Sequence, residues 1–224
     1  MPIRSSTSRT TALAGAAVLA ASLMLPGCVN NNTALKPDAQ SLANESIIKA
    51  QEAAAKAQEY VADDRPVEAI DQYRRALALY RDFPAAWNNL GLLLLDQNRA
   101  MEAAEAFKAA AELSPSDPRP VKNIGDVWQK QLYFDEAFRR YEQALERDPN
   151  YLPALREAIR VDALRDSRNE ATAARIQRAI VQETDPDWRE FLLRQKVLCD
   201  RNVRERATPQ FPERFPTRPA AKVD

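Results

Sequence analysis

Histidine is absent from this 224-residue chain, and with it the commonest general base and metal ligand. Two cysteines remain, Cys28 and Cys199, too few for a disulfide framework. There is no glycine-rich phosphate loop, no metal-ligand cluster and no acid pair set apart for proton transfer. The adjacent acids Asp63 and Asp64 fall where a turn is expected. Lys+Arg and Asp+Glu are equal at 32 each, which gives nucleic acid no electrostatic reason to bind. The residues therefore predict no enzyme, no metal and no cofactor. The one side chain whose surroundings suit a covalent reaction is Cys28.

Cys28 ends a patterned N-terminus. Arg4 and Arg9 supply positive charge, and an uncharged run, TALAGAAVLAASLML, follows over 11–25. It is short for a permanent membrane span and reads as a secretory signal over 1–27. The stretch Leu25-Pro26-Gly27-Cys28 resembles the bacterial lipobox, with Pro26 its one departure. That resemblance implies cleavage before Cys28 and acylation (palmitate and related chains) of the cysteine, hence a lipoprotein held in a membrane. An ordinary signal peptide with a cysteine nearby is the alternative. Val29 is compatible with outer-membrane sorting, so in a Gram-negative cell the chain would face the periplasm. Residues 28–45 are polar at their start and read as the lipidated cysteine and a flexible tether.

What would stand on that tether is a repeat. Beyond residue 27 the chain has only Gly91 and Gly125, 34 positions apart. Trp87, Leu90, Gly91, Leu94, Ala103, Phe107, Ala110 and Pro115 are answered at that offset by Val121, Ile124, Gly125, Trp128, Ala137, Tyr141, Ala144 and Pro149. This frame resembles the tetratricopeptide repeat (TPR) family. The resemblance implies an all-α solenoid of helix–turn–helix units and a binding role. The glycines leave room where the paired helices cross, with Ala103 and Ala137 expected opposite them. The aromatics fill wider gaps, and the prolines close the second helix.

Taken in order, the TPR domain is expected over 46–203, about three to four repeats and a cap. Repeats fall near 50–83, 84–117 and 118–151, with a degenerate one at 152–184. The first keeps Tyr60, Ala69, Tyr73 and Ala76, and its first helix is expected from about Ser46. In the fourth, Ser167–Glu170 reads as a capping box. By a strict 34-residue count Arg175 and Arg178 take the places of the aromatic and the alanine. A cap helix is expected at 187–201, with Trp188, Phe191, Leu192, Gln195, Leu198 and Cys199 on one face. Cys199 then reads as a buried thiol rather than a reactive one. Residues 204–224 form a proline-rich tail read as disordered, with an echo, Phe211-Pro-Glu-Arg then Phe215-Pro-Thr-Arg. It is either a bland end or a linear motif shown to a partner.

In the TPR family the first helices line a concave groove that holds peptides. Carried to this sequence, that groove holds Ala54 and Gln58, then Asn88, Asn89, Leu92 and Leu95. Arg119, Lys122, Asn123, Asp126 and Lys130 follow, then Arg156, Glu157 and Arg160. The lining starts uncharged and then sets five basic residues against two acidic ones, which suits a segment acidic at one end; solvated helix faces are the alternative. The carboxylate-binding set of some TPR domains is not reproduced, since Ala54 and Asn123 stand where cations are needed. The resemblance thus implies an envelope adaptor with a protein or peptide partner. It is similar to lipoproteins that assist type IV or tight-adherence pilus assembly. A regulator of peptidoglycan hydrolases or synthases, and a self-associating scaffold (a homo-oligomer), are the alternatives.

Overall fold

In a computed structural model, residues 38–207 are described. The signal, Cys28, the tether up to residue 37 and the tail from residue 208 lie outside them. Among the described residues there are nine helices and no strand. They are α1 (Ala39–Ala62), α2 (Pro66–Leu79), α3 (Pro84–Asp96), α4 (Ala100–Leu113), α5 (Pro118–Lys130), α6 (Phe134–Arg147), α7 (Leu152–Leu164), α8 (Glu170–Gln182) and α9 (Pro186–Ala207). Each helix packs on its neighbours in the chain, and α3 also touches α5. This is the all-α helix–turn–helix solenoid that the repeat predicts.

Local chemistry sets the helix ends. Pro66, Pro84 and Pro118 each open a helix, where a missing N–H costs nothing. Asp38 caps α1 by accepting from the Ser41 amide at 2.7 Å. As a result α1 begins at Ala39, ahead of the expected Ser46, so the end of the presumed tether is helical. At the other end α9 continues past Arg201 to Ala207.

The turn within each repeat is the same structure four times. Asp64, Asn98, Leu132 and Asp166 all have positive φ, between 50° and 65°, and stand 34 residues apart. After each, the next amide bonds back to a carbonyl five residues earlier: Arg65 to Tyr60 and Arg99 to Leu94 at 2.8 Å, Tyr133 to Trp128 and Ser167 to Asp162 at 3.0 Å. This is the Schellman closure, in which a left-handed residue lets orphan carbonyls find partners. Asp and Asn tolerate that conformation; Leu132 pays for it sterically.

The crossing within a repeat is tight, and an aromatic ring lies against each glycine. A β-carbon added to Gly91 would stand 2.6 Å from the Phe107 ring, and one on Gly125 would meet the Tyr141 ring in the same way. The Phe107 and Tyr141 rings occupy the space each glycine leaves, and Ala103 and Ala137 on the same second helices are fully buried. Pro115 and Pro149 follow the ends of α4 and α6, as expected.

After Asp166 the register slips by one residue. Asn169 caps α8, with its side chain on the Thr172 amide at 3.1 Å and Thr172 Oγ1 returning to the Asn169 amide. Ser167 is not the cap, because its hydroxyl bonds to Asp162 at 3.0 Å. Consequently Thr172, Ile176, Ala179 and Glu183 play the parts of Ala137, Tyr141, Ala144 and Asp148, at an offset of 35. Arg175 and Arg178 do not hold the aromatic and alanine places. Arg178 donates to the Pro149 carbonyl at 2.7 Å.

Arg175 is instead buried in a polar knot. Its guanidinium meets Asp162 at 2.5 Å and Glu142 at 3.1 Å, over the Phe138 ring at 5.1 Å. Asp162 is buried as well and also accepts from Thr172 Oγ1 at 2.7 Å. The cap helix shows the expected face: Leu192, Gln195 and Cys199 are buried. The Cys199 thiol donates to the Asn169 carbonyl at 3.0 Å, and burial pushes its pKa upward, which suits a packed rather than a reactive thiol.

Candidate functional site: the groove of first helices

The expected groove residues lie on α1, α3, α5 and α7, and most of their polar groups are already engaged with one another. Toward the α1 end the surface is mild. Gln58, Val61, Leu92, Leu93 and Asp96 border a recess of about 350 Å³, floored by Tyr73 and Asn89. Asn89 donates to the Tyr73 hydroxyl at 3.2 Å, which fixes both. Leu92 is exposed, whereas Ala54 is buried in the core and offers no contact.

At the centre, Asn123 donates to Asn88 Oδ1 at 2.9 Å and is itself buried. The pair ties α5 to α3, so Asn123 belongs to the wall and not to the exposed lining. Lys130 reaches back to the Leu95 carbonyl at 2.8 Å and binds the same two helices together.

Toward α7 a second recess, of about 360 Å³, is bordered by Lys122, Asp126, Gln129, Lys130, Glu157 and Arg160. Lys122 pairs with Asp126 at 2.6 Å and Arg160 with Glu157 at 3.0 Å. Beneath them the Tyr141 hydroxyl lies 3.0 Å from Asp126 and 2.8 Å from Gln129, its one proton shared between two acceptors. Burial, reinforced by Asp126, pushes the Tyr141 pKa far upward, so this phenol stays protonated and donating.

The excess of positive charge expected here is offset by acids from outside the first helices. Arg119 is held by Asp117, in the loop before α5, at 2.8 Å. Arg156 makes a two-point contact with Glu183, which ends α8, at 2.5 and 2.7 Å. The Arg156 hydrogen bond keeps the buried Glu183 carboxylate below its ordinary range. The five predicted cations therefore sit in a nearly balanced groove.

Trp188 and Phe191, read from sequence only as part of the cap helix's apolar face, form the far wall. Arg156 and Arg160 stack over the Trp188 ring at 5.0 and 4.7 Å. Phe191 meets Trp188 edge to face at 5.5 Å. With Arg160 and Asp187 they surround a recess of about 210 Å³. The signal that could have found them is their place at the start of α9, next in line after α7.

The tetratricopeptide repeat family model matches residues 50–118. No curated protein matches the chain in sequence. Among solved structures, PilF of Pseudomonas aeruginosa is 23% identical, with a TM-score of 0.61, over 69% of this chain and 71% of that one. YrrB, described as a TPR protein with an unusual peptide-binding site, is 21% identical with a TM-score of 0.54, over 67% and 76%. The first TPR of Spaghetti (RPAP3), bound to the HSP90 peptide SRMEEVD, is 22% identical with a TM-score of 0.51, over 54% and 95%. At these identities the likeness establishes the fold.

Proposed function

We propose that this tetratricopeptide-repeat solenoid is an adaptor, anchored to an envelope membrane through acyl chains on Cys28, whose groove holds a segment of a partner protein. The observation that carries the reading is the lining itself. It runs over successive first helices from the leucines near α1 to the aromatic wall of α9, with its polar groups fixed by one another. A preorganised surface of that kind loses little entropy on binding. YrrB and Spaghetti, whose descriptions mention peptide binding, supply the precedent.

The balanced charge modifies the ligand first expected. The segment is apolar where it meets Leu92, and its acidic groups compete with Asp117, Asp126, Glu157 and Glu183 for cations already paired. The finer reading is assistance in assembling a pilus or secretion complex in a Gram-negative outer membrane. Its support is the pairing of a lipobox-like stretch with repeats in one chain.

Crosslinking in the native envelope, followed by mass spectrometry, tests this. Leu92→Glu should reduce capture at least tenfold; its side chain is exposed and makes no bond between helices, so folding is spared. Arg156 is avoided because it satisfies buried Glu183. Unchanged capture overturns the groove assignment. Capture of cell-wall hydrolases or synthases in place of pilus or secretion components overturns the finer reading. Cys28→Ser should leave the membrane fraction if the anchor is real.

A further inference from the structure

Two acids at the rim of the groove are left without a cation. Asp126 is paired with Lys122 and Glu157 with Arg160, whereas Asp187 and Asp96 form no ion pair among the described residues. Asp187 stands in the first turn of α9, where the helix dipole favours a negative charge. Asp96 is the last residue of α3, where the dipole opposes it, and the last turn of α3 holds no basic residue in compensation. Its counterpart 34 residues on is Lys130, whose ammonium bonds the Leu95 carbonyl and forms no ion pair with Asp96. The fold gives this charge no partner.

Asp96 is absent from the lining that the sequence predicts, yet it borders the recess at the α1 end. It shares one face of α3 with Asn89, Leu92 and Leu93, at spacings of three and four residues. Leu92 is 41% exposed and Val61, across from it on α1, is 46% exposed, which gives the recess an apolar patch. At its floor, Asn89 spends its amide nitrogen on the Tyr73 hydroxyl, to which Gln58 is also bonded. The Asn89 side-chain oxygen accepts from no group among the described residues and is a second acceptor, neutral, on the same recess. No lysine or arginine borders it. A recess with apolar walls, a lone carboxylate and a spare amide oxygen complements a side chain that carries only donors. Lysine and arginine bring three and five such donors, on stems that cover apolar surface.

Given the groove reading above, we propose that this recess selects a basic segment of the partner protein. An apolar side chain lies over Val61 and Leu92, and a lysine or arginine close to it in sequence reaches Asp96 and the Asn89 oxygen. The charge of the partner at the α1 end is thereby fixed as positive.

The probe is a phage-displayed library of random dodecapeptides, panned in parallel on the full chain and on Asp96→Lys. The native chain should enrich peptides with Lys or Arg within about four residues of Leu, Ile, Val or Phe, and Asp96→Lys should enrich Asp or Glu there instead. For synthetic copies of the enriched peptides, Asp96→Asn should weaken binding by about threefold to fivefold, the range of an exposed ion pair. That loss should disappear in about 0.5 M salt. The melting temperature of Asp96→Asn should be no lower than that of the native chain, since the dipole no longer opposes the side chain. Leu92→Gln, which removes the apolar contact without adding charge, separates the two readings. Peptides that bind Leu92→Gln and Asp96→Lys as well as the native chain lie outside the groove and overturn the groove reading itself. Peptides lost on Leu92→Gln but without a basic bias, or indifferent to Asp96→Asn, overturn the basic-segment proposal alone.

Discussion

The second and third repeats and the fourth solve the same packing problem with different atoms. In the former, Gly91 faces the Phe107 ring and Gly125 the Tyr141 ring, nothing against something large. In the fourth, Ile159 stands in the glycine's place and Ile176 in the ring's, both buried in one cluster. Total volume is roughly kept while its division between the helices changes, the kind of exchange cores accept. The fourth repeat also carries a charge its neighbours lack. Asp162, at the place of Leu94 and Trp128, draws in Arg175, Thr172 and Ser167 and closes a turn one residue longer. The lesson is that the crossing is conserved in size, and the turn in closure, without either being conserved in residue type.

The comparison breaks most severely at Asp162. Asp162→Ala leaves Arg175 in the interior with Glu142 as its remaining acid, and should cost about 3–5 kcal/mol in urea unfolding. A loss below about 1 kcal/mol would show that the knot is incidental. Next is Gly91→Leu, which drives a side chain into the Phe107 ring and should cost roughly 1–3 kcal/mol. An unchanged melting temperature would mean that the crossing is looser than the geometry shows. Tyr141→Phe makes the third repeat resemble the second, since Phe107 already fills its site without a hydroxyl. It should cost about 1 kcal/mol for the bonds to Asp126 and Gln129. Leu132→Asn gives the third turn the chemistry of the second, and should raise stability by about 1 kcal/mol; a decrease would reveal a contact that the turn residue makes.

The smallest effect is in pH. Glu183 is held below its ordinary value of 4.5, chiefly by the hydrogen bond from Arg156. A lowered folded value means that its contribution is present above about pH 4.5 and is lost as pH falls through that lower value. The stability gap between the native chain and Glu183→Gln should therefore narrow in acid. A gap constant from pH 6 to 3 would show that the pair does not titrate with folding.

Much of this was legible in one dimension. Helix hairpins, prolines at helix starts, and the Gly91 and Gly125 crossings follow from local propensity and a 34-residue period. The ring at each glycine was not read from the sequence, because a period marks which positions face inward and not which atoms meet there. The groove lining was located in part: Asn123 and Ala54 turned out to be wall and core, and Trp188 and Phe191 turned out to be lining. Whether an inward position is floor or filling depends on the superhelical turn from one repeat to the next, which no single repeat encodes.

The sequence by itself determined the all-α repeat and its four turns, because hydrogen bonds within helices and Schellman closures span only a few residues. Only the tertiary structure decided the one-residue slip after Asp166, the pairing of Asp162 with Arg175, and the neutralising of Arg156 by Glu183. Those outcomes rest on side chains brought together from different helices and loops. Burial makes each such charge costly unless a partner is found, and the fold supplies that partner.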